Sequence, residues 1–184
     1  MTEEESNPVK EYLFNYIQNS EEKFQKLLSQ EKLDLIIEDI LDHCYYKVTL
    51  IDNKEESLGV LATGILHYML TITMLSSQRK VEHNGIEIDI VIPDLKTLEQ
   101  DPKKTLIILI PKTLDKKEIQ EKLDTLQKIQ PEKQNIWIVL TQDLGFDYKT
   151  YVIQKENSSF SKILFDIAQF VNVQGQNKFK ILRI

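Results

Sequence analysis

Asp89 sits in an alternating segment, Glu87-Ile88-Asp89-Ile90, and Lys112 closes the apolar run that follows. An acidic residue on one strand and a lysine at the end of the neighbouring strand would meet at one end of a sheet. That pairing suits metal-dependent cleavage of a phosphodiester. Carboxylates hold a divalent cation, and a lysine stands near the attacking water or the charge of the transition state. Asp89 and Lys112 are therefore the candidate catalytic residues, with Asp89 also the candidate metal ligand.

The surrounding chain must hold these two groups. Val81-Glu82-His83 and Ile86-Glu87-Ile88 flank Asn84-Gly85. Asn-Gly tolerates positive φ at both central turn positions, so a two-residue hairpin is expected there. Its second strand, 86–92, places Ile86, Ile88, Ile90 and Ile92 on one face and Glu87, Asp89 and Val91 on the other, and Pro93 ends it. After a short connection, residues 105–110 form a continuous apolar run, the pattern of a strand covered on both faces. A helix should run from Asp115 through about Ile129, with Glu118 at capping-box spacing from Asp115. A second buried strand follows over 135–141, joined to the first by a right-handed parallel crossover. Residues 148–153 read as another strand. Asn157-Ser158-Ser159 caps a last helix, and 179–184 reads as a final strand after a break at Gly175.

Upstream, residues 8–29 read as one or two helices, with Asn19-Ser20 offering a cap between them. In 31–44, Leu33, Ile36, Ile37, Ile40 and Leu41 recur at helical spacing. Residues 45–51 are either a short strand or the end of that helix. Ser57 is the expected cap of the next helix. Residues 58–76 contain no Asp, Glu, Lys or Arg, and their length approaches that of a membrane span. They also carry His67, Tyr68, Thr63, Thr71, Thr73 and Ser76, and lead straight into the hairpin. A helix apolar all round is equally suited to the centre of a protein core, which is the reading preferred here.

The fold class is α/β: a central mixed sheet with a β-hairpin and flanking helices. The 184 residues are expected to form one domain, with 1–56 an acidic helical extension and 57–184 the α/β core. Over about residues 57–141, the order helix, hairpin, strand, helix, strand resembles the core of the PD-(D/E)xK superfamily. That superfamily includes restriction endonucleases and Holliday-junction resolvases. Asp89 in EIDIVI matches its metal-binding aspartate, and Lys112 in ILIPK matches its lysine. The resemblance implies a restriction-endonuclease-like core with a magnesium or manganese site at Asp89. One departure is serious: the triplet expected to read E-x-K is Ile110-Pro111-Lys112. Glu87, on the strand face of Asp89, is the first candidate to replace the missing carboxylate. Asp94 and an acidic residue of the 31–44 helix are the others.

Charge and motifs narrow the function. Residues 1–56 carry 6 Lys/Arg and 14 Asp/Glu, whereas 57–184 carry 17 and 15. Neither part has the strong positive field of a protein that grips phosphate backbones. Lys103, Lys104, Lys116 and Lys117 cluster around the ends of the 105–110 strand and, with Lys112, offer a local phosphate-facing strip; Glu118 and Glu121 favour a mixed, solvated surface instead. The single cysteine, Cys44, cannot form an internal disulfide, and the acidic N-terminus lacks secretory order, so a cytoplasmic location is expected. His43-Cys44, His67 and His83 have no zinc-site spacing. Glycine-rich phosphate loops and the G-x-S-x-G elbow are absent. The leading expectation is a non-enzymatic interaction or assembly protein on a nuclease-like core, with a protein partner or a second copy of the chain. It implies no cofactor and no membrane. The alternative is a divergent nuclease acting on nucleic acid through Asp89, Lys112 and Glu87 with magnesium or manganese. A third is a small-molecule-binding domain with a pocket near the strand ends.

Overall fold

The computed structural model describes residues 7–156 and 158–174. Helix α1 (Pro8–Asn19) starts where the Asn7 side chain accepts the backbone N–H groups of Val9 and Lys10. Helix α2 (Glu21–Ser29) follows after a joint at Ser20, so 8–29 forms two helices. Helix α3 (Leu33–Val48) runs on past residue 44. Its inward stripe explains why: Ile37, Leu41, Cys44 and Val48 are all fully buried, and helical spacing carries the stripe through the segment that also read as a strand. Helix α4 (Lys54–Ile72) is capped by Asn53 rather than Ser57, its side chain accepting the N–H groups of Glu55 and Glu56. Those two acids sit in the first turn, where the helix dipole favours negative charge. Ser57 is thereby buried inside the helix.

Among the described residues five strands follow in one sheet: β1 (Gln78–His83), β2 (Ile86–Ile92), β3 (Leu106–Leu109), β4 (Ile136–Leu140) and β5 (Lys149–Val152). Their spatial order equals their chain order. The β1–β2 and β2–β3 pairs are antiparallel, and the β3–β4 and β4–β5 pairs are parallel. The hairpin turn forms as expected, with φ of 53° at Asn84 and 75° at Gly85. The connection from β2 to β3 holds a helix that the sequence reading missed, α5 (Leu95–Gln100), where Asp94 accepts the Thr97 N–H. Helix α6 (Lys116–Gln127) joins β3 to β4. Asp115 caps it by accepting from Lys117 and Glu118, while the N–H of Asp115 itself goes to the Thr113 hydroxyl.

Residues 141–148 link two parallel strands without a helix. Leu144, Phe146 and Tyr148 of this link pack on the α6 side of the sheet, covering surface that a crossover helix would otherwise cover. After β5, a 3-10 turn (Ser159–Lys162) leads into α7 (Ile163–Val173). Asn157, Gly175 and the expected strand 179–184 lie outside the described residues.

The sheet separates two apolar layers. One holds α1, α3, α4 and α7 against Ile90, Leu106, Ile108, Ile110, Trp137 and Val139. The other holds α6 and Leu98 of α5 against Ile107, Leu109, Ile136, Ile138 and Leu140. Strands β3 and β4 thus bury both faces, as their continuous apolar runs require. Strand β2 departs from expectation. Ile90 and Ile92 face the α4 layer, but Ile86 and Ile88 pack with Val91 on the α6 side. The strict alternation breaks at Asp89. The β1–β2 register passes over the same point: Arg79 pairs with Ile90 and Val81 with Ile88, while Lys80, with φ of 48°, and Asp89 between them form no pair. Among the described residues no helix is long and apolar enough to cross a membrane.

Among the described residues β5 is the last strand of the sheet, and on its side away from β4 two serines occupy its backbone. The Val152 N–H donates to the Ser159 hydroxyl at 2.7 Å, and the Ser158 hydroxyl donates to the Val152 carbonyl at 3.0 Å.

Candidate functional site

The register of β2 against β3 pairs Ile90 with Ile108 and ends there, so Asp89 lies where the ladder stops. The next backbone donor on that side is the N–H of Ile110, just beyond β3. The Asp89 carboxylate accepts it at 2.7 Å. A half-buried carboxylate therefore takes the place of a ladder carbonyl. A hydrogen bond to a charged group in such a position contributes about 1.5–3 kcal/mol. Burial nevertheless pushes the Asp89 pKa above the ordinary aspartate range; the Ile110 N–H and the charges of Lys122 and Lys112 pull it down without cancelling that effect, and Glu87 adds to the rise.

Ile110 itself is buried in the α4 layer. A charged side chain at this position would enter the main core, where its desolvation is costly. Lys112 is exposed, and its stem crosses α4 at Gly59, where a Cβ would stand 3.0 Å from the lysine Cγ. The missing side chain at Gly59 is what lets the helix approach the end of β3 so closely. Gly59 and Lys122 belong to this neighbourhood, yet sequence reading had not selected them. The signal available for Gly59 was a glycine inside a long apolar helix, one of two there with Gly64, a residue type that in a helix interior usually marks close packing.

The other acidic residues that the sequence offers beside Asp89 are engaged elsewhere or turned outward. Glu87 is exposed and stands directly opposite Glu82 across the hairpin. Asp94 caps α5. On α3, Asp39 accepts from the Tyr16 hydroxyl at 2.6 Å and pairs with Lys23. Among the described residues no group of three or more His, Cys, Asp or Glu side chains is placed to hold a metal ion. The Cys44 thiol is buried and its pKa pushed up to about 12, by burial first and then by Asp39. His43 stacks on Tyr16, and His83 lies 3.4 Å from Glu99.

The lysine strip divides. Lys103 and Lys104 precede β3, whereas Lys112, Lys116 and Lys117 follow it, so the strand separates two groups rather than joining one. Lys104 also pairs with Asp101, and Lys122 with Glu118. A cavity of about 460 Å³ lies at the end of α4 and the start of β1, lined in part by His67, Thr71, Ser77 and Arg79; Asp89, Glu87 and Lys112 are not among its lining residues. What the arrangement around Asp89 can do is fix the end of β3 through one carboxylate and present Lys112 to solvent beside it. No family model, no curated protein and no solved structure matches the chain.

Proposed function

We propose that this chain is a non-catalytic cytoplasmic interaction module, built on an α/β core similar to that of the PD-(D/E)xK nucleases. The observation that carries the reading is the 2.7 Å bond from the Ile110 N–H to Asp89. One oxygen of the carboxylate most suited to a cation is taken by backbone, and burial, which raises its pKa, disfavours the charge a cation would need. Ile110 places an apolar side chain where the superfamily pattern has its second carboxylate. The order of the strands and the hairpin before the central pair support the nuclease-like core. Exposed apolar side chains on the helical side, Tyr46 and Leu50 among them, support a role in contact with other proteins.

The test is cleavage of single- and double-stranded DNA and RNA with magnesium or manganese. No cleavage above background is expected, from the parent protein or from Asp89→Ala and Lys112→Ala. Reproducible metal-dependent cleavage, lost in either variant, would overturn the reading and make Glu87 the first residue to examine as replacement ligand.

A further inference from the structure

The outer face of α3 combines apolar and acidic side chains in one line. Leu35, Glu38, Asp42 and Tyr46 are spaced by three or four residues, and Leu50 continues the line in the helical turn that follows. All five are exposed, Tyr46 by 62% and Leu50 by 85%. From Leu35 to Leu50 the line runs about 22 Å at the helical rise. It is apolar at both ends and negative in the middle.

The three acidic residues in the middle of this helix fall into two kinds. Asp39, turned toward α1 and α2, is neutralised by Lys23 and the Tyr16 hydroxyl. Glu38 and Asp42 have no ion-pair partner among the described residues. They lie within the part of the chain that carries 6 Lys/Arg against 14 Asp/Glu. The ring of Tyr46 already accepts a cation, since the Lys155 ammonium stands 4.8 Å from its centre.

We infer that this face docks a basic amphipathic helix of another protein, whose apolar residues cover Leu35, Tyr46 and Leu50 while its Lys or Arg side chains meet Glu38 and Asp42. This rests on the interaction reading above and names the surface and the chemistry of the partner. Charge complementarity selects that occupant. Nucleic acid and anionic lipid would be repelled by the same carboxylates. A second copy placed symmetrically would bring Glu38 and Asp42 against their own equivalents. A basic amphipathic helix matches both the spacing and the sign.

The test is fluorescence anisotropy on the full chain, with a labelled helical peptide of about 18 residues. The peptide carries Leu and Phe on one face and Lys and Arg beside them, and a matched peptide carries Glu in place of every Lys and Arg. Saturable binding of the basic peptide only is expected, weakened at least about tenfold in Tyr46→Ser/Leu50→Ser and in Glu38→Lys/Asp42→Lys. Both pairs change exposed residues, and circular dichroism checks that each variant stays folded. Glu118→Lys/Glu121→Lys, on α6, should bind as the parent does. Equal binding of the two peptides, unchanged binding in both α3 variants, or an equal loss in the α6 control would overturn the proposal. So would sedimentation showing a dimer that Tyr46→Ser/Leu50→Ser dissolves, because a second copy would then be the occupant. Nuclease activity would instead overturn the functional reading, and the binding measurements would stand apart from it.

Discussion

Asp89 holds two opposed properties in one side chain: it completes the end of a strand, and it does so as a charge that burial disfavours. Its pKa is higher in the folded chain than in the unfolded one. Between the ordinary aspartate pKa and the raised folded value, the folded state holds more protons. Stability should therefore fall as pH rises through that window and level off above it. In Asp89→Asn this dependence should disappear, because the amide carbonyl still accepts from Ile110 and carries no charge. Stability near neutral pH should stay within about 1 kcal/mol of the parent, whereas Asp89→Leu leaves the Ile110 N–H unpaired and should cost about 1–3 kcal/mol. Urea denaturation at a series of pH values measures both outcomes. The sequence made the types of Asp89 and Lys112 legible, and it placed the first on a strand and the second past the end of its neighbour. It did not reveal that the first is bonded to backbone, because alternation shows which way a side chain points and not where a ladder ends.

At the scale of elements, the hairpin contains a repulsion that its turn must overcome. Glu82 and Glu87 face each other directly, both exposed. Like charges so placed are unfavourable, and Glu82→Lys should raise stability by about 0.2–1 kcal/mol, the gain shrinking in high salt. Thermal denaturation at low and high salt would show it; a gain unaffected by salt would point to a cause other than charge. The hairpin was readable because Asn84-Gly85 has a local conformational requirement. The change of face within β2 was not, because four isoleucines at even spacing suggest one face, and the unpaired step at Lys80 and Asp89 has no periodic signature. Helix ends were legible where a cap is strong, as at Asp115. At α4 the serine nearest the apolar run suggests itself as the cap, although Asn53, four residues earlier, is the better cap because it admits Glu55 and Glu56 to the first turn.

For the whole molecule, the two layers differ in what they bury. Helix α4 buries ten residues and α6 three. Hydrogen exchange should therefore show α6 opening at a lower free energy than α4, β3 and β4, whose slowest amides should exchange only with global unfolding. Equal protection in α6 and α4 would contradict this. The overall class was legible because buried strands and amphipathic helices have different periods, whereas the unhelical link 141–148 between parallel strands has no periodic signature at all. The serines at β5 carry a further consequence. An open sheet edge is a template for other chains; among the described residues β5 is the last strand on its side, and Ser158 and Ser159 cover part of that edge by saturating both backbone groups of Val152. Ser158→Ala/Ser159→Ala should expose that template, so that the protein, held at high concentration, forms thioflavin-positive aggregates sooner than its parent. Two hydroxyl groups would then act as the chain's safeguard against self-templated β-assembly.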